Sequence, residues 1–501
     1  MVFSTQCILF CLIIIGIFKI IAYYIDYKEF FKKASLLPGP KTIPILGNAH
    51  LLLKKKSNIL KEANILIKLY PSIFRLWIGN CLYVTICDPK LIQTFLSSNK
   101  VLKKGSLYKF FHSIIEKGVF STSPPAWQTN RKFIMPIFQT KKLHSAIDIF
   151  NKYAIELVNI LSTKENNDKF DITDMLNIYT VQVTVDSFMG DSINLEMNEA
   201  DKYGKLMSRL LQLVSKRTMN FFLHPNSIFK FSQLSKDTNE IIESLNKITN
   251  KIIQKRREFL KSEDKVIGDR DKTLFLDKII EQCDDLNVID DIQLQHEVNT
   301  ILFSATDTTL ITISFAVLVL VTFPEIQKKV YEELYTLFGS ADPEDNPITI
   351  HDLNKMDYLT RVINETLRFF SPVPYIIREV MDDLNIGEYT LPKGCQVIIP
   401  ISKIHKNEEF WHEPEKFNPD RFLPDEVLQR PTCCFLPFSA GLRNCMGYKF
   451  GMMAMKIVLA TILRRFVLTC DEIVPLHEVK LKHEIFMKQC EPIKIRIQKR
   501  N

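Results

Sequence analysis

The chain has 501 residues, of which 46% are hydrophobic and 24% are charged, so it can bury a large core. Its 65 basic and 57 acidic residues give a net charge of +8 without the clustered basic stripe that nucleic-acid binding requires. The 11 cysteines are odd in number and irregularly spaced, which favours reduced thiols in the cytosol over a secreted disulfide framework. Adjacent Cys433 and Cys434 have no CxxC pair beside them, and we interpret them as packing residues.

The N-terminus has the features of a membrane span. Residues 2–18 carry no charge and apolar residues continue past Lys19 to Ile25, which reaches the roughly 20 residues that a span requires. Three lysines follow within residues 28–33, which predicts that the rest of the chain lies on the cytoplasmic side. The alternative is a cleaved secretory signal, which would have a shorter apolar core and a small-residue cleavage site. We therefore predict a single transmembrane anchor in residues 1–27.

A proline-rich stretch follows the lysines. Leu37-Pro-Gly-Pro40 and Pro44 are typical of a stiff, non-helical connector. The sequence thus predicts a basic and proline-rich hinge in residues 28–50, followed by a folded domain in residues 51–501.

Three further stretches have simple local patterns. Residues 73–87 predict two short strands joined by a hairpin turn at Gly79-Asn80. Trp127 and Arg131 follow two prolines and are predicted to share one face in the first turns of a helix, because they are four residues apart. Residues 140–285 are predicted to be mostly helical.

A long helical pattern runs without interruption from Asp290 to Phe323. Asp290 and Gln293 open it at capping-box spacing, and Pro324 begins the next helix. Within it, Ser304-Ala-Thr-Asp-Thr-Thr309 is unusually polar for an apolar helix. Buried polar groups need partners, and threonine can bond to the carbonyl four residues before it.

Glu365 and Arg368 lie three residues apart on a helix that Ser371-Pro372 ends. Taken alone they fit a surface pair that stabilises the helix by only about 0.3 kcal/mol. Their place in the chain order is more informative, because they lie between the polar stretch of the long helix and Phe417-Asn-Pro-Asp-Arg-Phe422.

The most distinctive stretch is Phe438-Ser-Ala-Gly-Leu-Arg-Asn-Cys-Met-Gly447, which precedes a helix predicted for residues 448–468. Its glycines let the backbone turn tightly and approach a flat partner closely. Cys445 lies just before a helix N-terminus, where free N–H groups and the helix dipole favour a thiolate. Such a soft anion is a suitable axial ligand for haem iron, and Arg443 can pair with a haem propionate. For an isolated cysteine, a buried free thiol would be the alternative.

The whole decapeptide matches Phe-x-x-Gly-x-Arg-x-Cys-x-Gly at every fixed position. With this match the chain resembles the haem-thiolate monooxygenases of the cytochrome P450 superfamily. The resemblance runs from the anchor to the C-terminus, so it implies one catalytic domain rather than several. It also implies a fold that is mainly α-helical, with a smaller β-rich portion.

The resemblance assigns roles to residues that the local patterns singled out. Cys445 is implied as the axial thiolate and the metal ligand, and Asp307 and Thr308 as the acid–alcohol pair that delivers protons. Further cofactor-binding positions, several of them at the haem propionates, are Trp127, Arg131, Arg378, Phe438, Arg443 and Gly447. A buried structural cluster beneath the haem-binding loop is implied for Glu365, Arg368 and Arg421.

The resemblance further implies a reaction and its partners. One oxygen atom from O2 enters a lipophilic substrate, and the electrons come from NADPH through a membrane-bound flavoprotein, the NADPH–cytochrome P450 reductase. Cytochrome b5 is a further candidate electron donor. The implied location is the endoplasmic reticulum membrane.

Residues 297–309 look most like the fatty-acid ω-hydroxylase branch and its insect relatives. Substrates in that branch include fatty acids, hormones, odorants and plant toxins. Two departures are visible: Ala305 stands where the family usually has glycine, and Ser304 stands where the branch commonly has a glutamate esterified to haem. A serine cannot form that ester, so we expect non-covalent haem b. Apolar candidates for the pocket are Phe110, Phe111, Phe120, Val373, Ile376, Ile377, Ile485 and Phe486.

Two other functions compete with the monooxygenase. One is a haem-thiolate enzyme that rearranges or dehydrates peroxides, which needs neither a reductase nor Asp307 and Thr308. The other is a non-catalytic, membrane-anchored carrier of apolar ligands, which also leaves that pair without a purpose.

Overall fold

The computed structural model describes residues 28–43, 46–51, 56–139, 143–165, 169–262, 274–286 and 288–500. The anchor predicted in residues 1–27 therefore lies outside the described residues. Side chains at 56–60, 285 and 483 are also outside the description.

Helices make up most of the described chain, and short strands make up a smaller part, as predicted. Residues 28–35 are helical. The α-helices that follow are α1 (Lys56–Leu69), α2 (Pro89–Ser97), α3 (His112–Ile115), α4 (Ala126–Ile134), α5 (Ile147–Ser162), α6 (Thr173–Met189), α7 (Met197–Met219), α8 (Asn226–Phe229), α9 (Gln233–Lys261), α10 (Phe275–Ile280), α11 (Asp291–Thr322), α12 (Pro324–Phe338), α13 (Ile350–Lys355), α14 (Asp357–Phe369), α15 (Ile401–Ile404), α16 (Pro424–Leu428) and α17 (Tyr448–Arg465).

The strands are β1 (Ile73–Ile78), β2 (Cys81–Ile86), β3 (Lys103–Lys104), β4 (Phe170–Asp171), β5 (Ile376–Glu379), β6 (Leu384–Ile386), β7 (Tyr389–Leu391), β8 (Gln396–Ile399), β9 (Phe466–Thr469), β10 (Leu481–His483), β11 (Met487–Gln489) and β12 (Lys494–Lys499). Short 3-10 turns lie at Ala49–Leu51, Asn99–Val101, Ser106–Phe111, Met135–Phe138, His144–Ala146, Asp191–Ile193, Phe221–Leu223, Pro419–Phe422, Thr432–Cys434 and Gly441–Arg443, and Glu281–Asp285 is a π-helical turn.

One compact unit contains the residues up to Ser106, Ile376–Pro400 and Gly441–Arg443. Its five-stranded sheet has the order β1-β2-β8-β5-β3. The predicted hairpin is confirmed, because β1 and β2 pair antiparallel with Ile78 opposite Cys81 across the turn. The turn needs a positive φ, which Gly79 supplies at +57°.

The segment predicted as a hinge packs against β1 in this unit. The N–H of Arg75 donates to the carbonyl of Pro38 at 2.8 Å, and its guanidinium donates to the carbonyl of Leu37 at 2.9 Å. Leu37 is 2% exposed, and the ring of Phe30 meets Trp77 edge-on at 5.9 Å. The prolines therefore fix the chain against a sheet edge, in addition to keeping it out of a helix.

The second unit contains Leu107–Tyr375, Ile401–Ala440 and the residues from Asn444 onward. At its centre lies α11, which is buried along most of its length. Among the described residues it is the one helix with the length and apolar composition of a membrane span, and most of it lies inside the protein. It begins as predicted, with the Asp290 carboxylate accepting from the Gln293 N–H at 2.7 Å. Pro324 starts α12, also as predicted.

The predicted end of the last helix was wrong by three residues. The helix ends at Arg465, and residues from Phe466 form β9, which pairs antiparallel with β12. The apolar run Phe466-Val-Leu468 suits a strand as well as a helix, and pairing with a distant strand decides between them.

Candidate active site

Cys445 is presented by a closed loop in front of α17. Its N–H donates to the carbonyl of Phe438 at 2.9 Å, and the Phe438 ring packs edge-on against Tyr448 with centroids 4.8 Å apart. The helix begins at Tyr448 with Gly447 as its N-cap. Cys445 is exposed, so the local geometry is the one that the sequence predicts for an accessible thiol at a helix N-terminus.

The neighbouring cysteines differ from Cys445 in their surroundings. Cys433 and Cys434 are 3% and 2% exposed, in agreement with their interpretation as packing residues. Burial raises the pKa of Cys434 to about 11 and also raises the pKa of Cys433. Buried thiols of this kind stay protonated at neutral pH, in keeping with a packing role. None of the nine cysteines in the described part of the chain forms a disulfide.

The fold requires a glycine at one of the two glycine positions of the loop but not at the other. Gly441 has φ +70°, and a Cβ there would lie 1.9 Å from the carbonyl oxygen of Leu96, so only glycine fits the fold. Gly447 has an ordinary φ of −81°, and a Cβ would make normal contacts with Phe138 at 3.8 Å and with the Cys445 sulfur at 3.9 Å. The protein itself therefore tolerates a side chain at 447, and the glycine suits the close approach of a flat group beside the thiol.

Arg131 lies next to this loop. On α4 its guanidinium lies 5.5 Å from the ring centre of Trp127, so the predicted shared face is confirmed. It donates to the backbone carbonyl of Asn444 at 3.1 Å and to the side-chain oxygen of Asn444 at 2.6 Å. Burial lowers the pKa of Arg131, while the negative charge of the Cys445 thiolate acts in the opposite direction. The helix thus places a cation beside the predicted thiolate.

The other two predicted propionate ligands belong to the first unit. Arg378 lies on β5, is 2% exposed and donates to the carbonyl of Ile377 at 3.1 Å. Arg443 is buried in the turn Gly441–Arg443. Both are guanidinium groups, whose fork of donors matches a carboxylate.

Asp307 and Thr308 lie on the middle of α11, which continues through them as an unbroken helix. Thr308 donates its hydroxyl proton to the carbonyl of Ser304 at 2.8 Å, the back-bonding predicted from the sequence. The Asp307 carboxylate is buried and meets the ammonium of Lys488 at 3.2 Å. Sequence reasoning missed Lys488, because no local pattern points to a partner so far along the chain.

The predicted structural cluster is present. Glu365 and Arg368 form a two-pronged ion pair at 2.7 and 2.8 Å, and both side chains are fully buried. Arg421 approaches the same carboxylate at 3.4 Å, and the N–H of Asn418 donates to it at 2.8 Å. The carbonyl of His405 accepts from Arg368 at 2.9 Å. The surface-pair alternative for Glu365 and Arg368 is therefore excluded.

His405 received no role from the sequence, yet it connects this cluster to the segment before the cysteine loop. Its Nε2 accepts the N–H of Leu436 at 2.8 Å, so the remaining proton sits on Nδ1, which meets Ser371 at 2.9 Å. Burial and the charge of Arg368 lower the pKa of His405 to about 3. The imidazole of His405 is therefore a neutral structural link. No pattern in the sequence around His405 indicates this role.

Glu297 was also missed as a structural residue. Its carboxyl group is 2% exposed and accepts from the N–H of Val119 at 2.9 Å and from the amide of Asn130 at 2.7 Å. Burial raises its pKa to about 8, although both hydrogen bonds act in the opposite direction. Glu297 therefore ties α11 to the residues around α4.

The residues around Cys445 fit a haem with an axial thiolate. They supply an accessible sulfur at a helix N-terminus, a neighbouring guanidinium and a glycine that leaves room beside the sulfur.

Comparison with known proteins agrees with this site. The model of the family Cytochrome P450 matches residues 37–497, and the chain belongs to that family of haem-thiolate monooxygenases. Among individual relatives, it is 31% identical to Cytochrome P450 4c21 of Blattella germanica, an alignment that covers 98% of each chain. It is 29% identical to Cytochrome P450 4V2 of Mus musculus over 91% of this chain and 88% of that protein.

A solved structure confirms the predicted fold. The crystal structure of the cytochrome P450DA heme domain matches with a TM-score of 0.76, covering 93% of this chain and 98% of that one at 21% identity. The fold class and the enzyme class predicted from the sequence are both confirmed.

Proposed function

We propose that this protein is a membrane-anchored monooxygenase that inserts one oxygen atom into a lipophilic substrate such as a fatty acid, hormone, odorant or xenobiotic. The observation that carries the proposal is Cys445, an exposed thiol beside Arg131 at the N-terminus of α17, in a chain of this family.

Each group of site residues has a defined task in this proposal. When bound, haem supplies the activation of O2, which the thiolate ligand promotes by donating electron density to the iron. Cys445 would bind the iron, and Phe438 and Gly447 shape the loop around the sulfur. The residues that would pair with the haem propionates are Trp127, Arg131, Arg378 and Arg443.

Asp307 and Thr308 hold and move protons on the pocket side. Asp307 offers a buried carboxylate held by Lys488, and Thr308 offers a hydroxyl oxygen that can receive a hydrogen bond while its own proton binds the Ser304 carbonyl. Rings from Phe111, Phe120 and Phe303 pack together nearby and exclude water from an apolar substrate. Glu365, Arg368 and Arg421 act below the loop as a structural support.

The remaining parts of the proposal concern location and electrons. Residues 1–27 form a single span in the endoplasmic reticulum membrane, residues 28–50 form the hinge, and residues 51–501 form the cytoplasmic catalytic domain. NADPH–cytochrome P450 reductase supplies the electrons, with cytochrome b5 as a second donor. The lysines within residues 28–33 and the uncharged run before them support this arrangement.

The haem in this proposal is non-covalent haem b. Ser304 has no carboxylate, and its hydroxyl donates to the carbonyl of Thr300 at 2.6 Å. Glu297 is seven residues away on the same helix, and its oxygens bind Val119 and Asn130. Acidic organic extraction should therefore release essentially all haem as unmodified protoporphyrin. A haem-bearing peptide that survives denaturing chromatography would contradict this, and Ser304→Glu is the variant expected to gain one.

The central test is the spectrum of the reduced, CO-bound protein. The wild type should absorb at the thiolate-specific Soret position, and Cys445→Ala should abolish that band because the axial sulfur is lost. Cys434→Ala is the matched control, since it removes a nearby thiol that is buried and protonated. Retention of the band in Cys445→Ala, or its loss only in the control, would overturn the assignment.

The substrate class can be narrowed by spectral titration. Fatty acids and plant terpenoids are added to the ferric protein, and displacement of water from the iron by an apolar ligand gives a type I shift. Turnover that requires NADPH and reductase supports the monooxygenase. Conversion of lipid hydroperoxides without NADPH would instead support the peroxide-rearranging alternative.

A further inference from the structure

Lys488 lies at the junction of three elements of the second unit. It is on β11, and its ammonium lies 3.3 and 3.2 Å from the two carboxylate oxygens of Asp307 on α11. The same nitrogen lies 3.2 Å from the hydroxyl of Ser208 on α7. The Asp307 side chain is 4% exposed and that of Lys488 is 18% exposed, so Lys488 is the more accessible member of the pair.

Two residues on α11 and two on the hairpin of β10 and β11 are separated by similar distances, so they can meet in pairs. Residues 303 and 307 are one turn apart on α11, about 6 Å along its axis. Residues 486 and 488 are two apart on the hairpin and share a face, about 6.6 Å apart. Phe486 accordingly stacks on Phe303 with centroids 5.7 Å apart, while Lys488 meets Asp307. Two contacts in register fix where the ammonium can sit.

The hairpin that carries Lys488 is itself held in place. The N–H of Met487 donates to the carbonyl of Pro372 at 2.9 Å. Phe303, the partner of Phe486, also packs against Phe111 and Phe120 at 5.6 and 5.4 Å. The position of Lys488 is therefore set by the contacts of its neighbours Phe486 and Met487 as well as by the pair with Asp307.

We propose that Lys488 is a positioning residue that holds the Asp307 carboxylate for proton delivery and so sets the share of turnovers that yield product rather than peroxide. The inference rests on the proposed function, because it takes Asp307 as the acid of the relay. A buried carboxylate without its cation would rotate or recruit another donor, and either change misaligns the relay.

The test uses the full-length protein reconstituted with reductase, with dodecanoic acid as the probe. Peroxide released per NADPH consumed is the main readout. Lys488→Met removes the charge but keeps most of the side chain, and it should raise this ratio by about threefold. It should also change the solvent deuterium isotope effect on NADPH oxidation, which a purely structural role would not do. Lys488→Arg should restore a ratio close to that of the wild type.

Lys482→Met is the matched control, because Lys482 is exposed and lies directly opposite Lys488 in the hairpin register. It should leave the ratio unchanged. The CO spectrum of each variant shows whether the fold and the thiolate ligand are intact. An unchanged ratio in Lys488→Met, or an equal rise in the control, would overturn the inference.

A double-mutant cycle shows whether Lys488 acts through Asp307. In the Asp307→Asn background no carboxylate remains for Lys488 to position, so Lys488→Met should add no further peroxide. An additional threefold rise there would overturn the positioning role. If Asp307→Asn alone leaves the ratio of peroxide to NADPH at the wild-type value, Asp307 is not part of the proton relay and the proposed function is wrong on that point. That outcome differs from one in which only the positioning role of Lys488 is contradicted.

Discussion

Two ion pairs in the second unit, each with a buried carboxylate, differ in chain separation, in bond length and in the burial of the cation. Glu365 and Arg368 are three residues apart on one helix, are fully buried and are joined by hydrogen bonds of 2.7 and 2.8 Å. Asp307 and Lys488 are 181 residues apart, lie on different elements and meet at 3.2 and 3.3 Å. The lysine of the second pair also reaches solvent.

The two pairs also differ in how many other hydrogen bonds would break if the pair separated. The Glu365 carboxylate also accepts from the N–H of Asn418, and Arg368 also donates to the carbonyl of His405, so separating that pair breaks several bonds at once. An ammonium shared between Asp307 and Ser208 can exchange its bonds for water at a lower cost. The first pair suits a fixed support, and the second suits a group that must move protons.

Glu297 completes the comparison as a buried carboxyl group whose hydrogen-bond partners are neutral. The Val119 N–H and the Asn130 amide stabilise it, but they do not compensate burial as a cation would. Three buried acids thus have a fully buried cation, a partly exposed cation and neutral donors as their partners.

Breaking the fixed pair should have the largest effect on stability. Glu365→Gln leaves the Arg368 guanidinium buried without its counter-charge, which should lower the free energy of unfolding by about 3–5 kcal/mol. Thermal unfolding and the fraction of protein with an intact CO spectrum measure this. Glu332→Gln is the control, because Glu332 pairs with Lys328 on an exposed helix face, and it should change stability by less than about 0.5 kcal/mol. Similar losses in the two variants would show that the buried pair is no stronger a support than a surface pair.

A smaller, pH-dependent effect is expected at Glu297. Its folded pKa of about 8 is raised above the ordinary 4.5, so between these values the folded protein keeps a proton that the unfolded chain has released. The stability that this proton provides is present below about pH 4.5 and is lost as the pH rises towards 8. Glu297→Gln cannot titrate. From pH 5 to 8 the wild type should therefore lose stability relative to the variant, by up to about 1.4 kcal/mol per pH unit.

Melting temperatures of the wild type and of Glu297→Gln, measured from pH 5 to 8, show whether the relative stability of the wild type falls with rising pH. Glu258→Gln, on an exposed face of α9, serves as the control for loss of a carboxylate. If the stability of the wild type relative to Glu297→Gln stays constant or increases with rising pH, the raised pKa is contradicted.

Sequence reasoning predicted the features that depend on near neighbours. The hairpin at Gly79, the start of α11 at Asp290 and the Trp127–Arg131 face all follow from local spacing, and all are confirmed. The predicted end of α17 was wrong because the pairing of β9 with β12 overrides the apolar pattern at Phe466.

The missed site residues are those whose partners lie far along the chain. Lys488 contacts Asp307, His405 contacts Leu436, and Glu297 contacts Val119. Each residue type is common, and only the fold brings it to its partner. The pKa values of the last two groups are set by burial, which a single sequence does not give.

The hydroxyl groups along α11 share a direction. Thr300, Ser304, Thr308 and Thr312 each donate to the carbonyl four residues earlier, at 2.6 to 2.8 Å. Each of these hydroxyl hydrogens is thereby committed to the helix, which leaves a row of oxygens whose lone pairs can still accept. A donor that reaches the partly exposed members, Ser304 and Thr308, must present its hydrogen to the helix. Thr308 can thus receive a hydrogen bond at any time, but it can donate one only after releasing the Ser304 carbonyl, which gives the row a polarity.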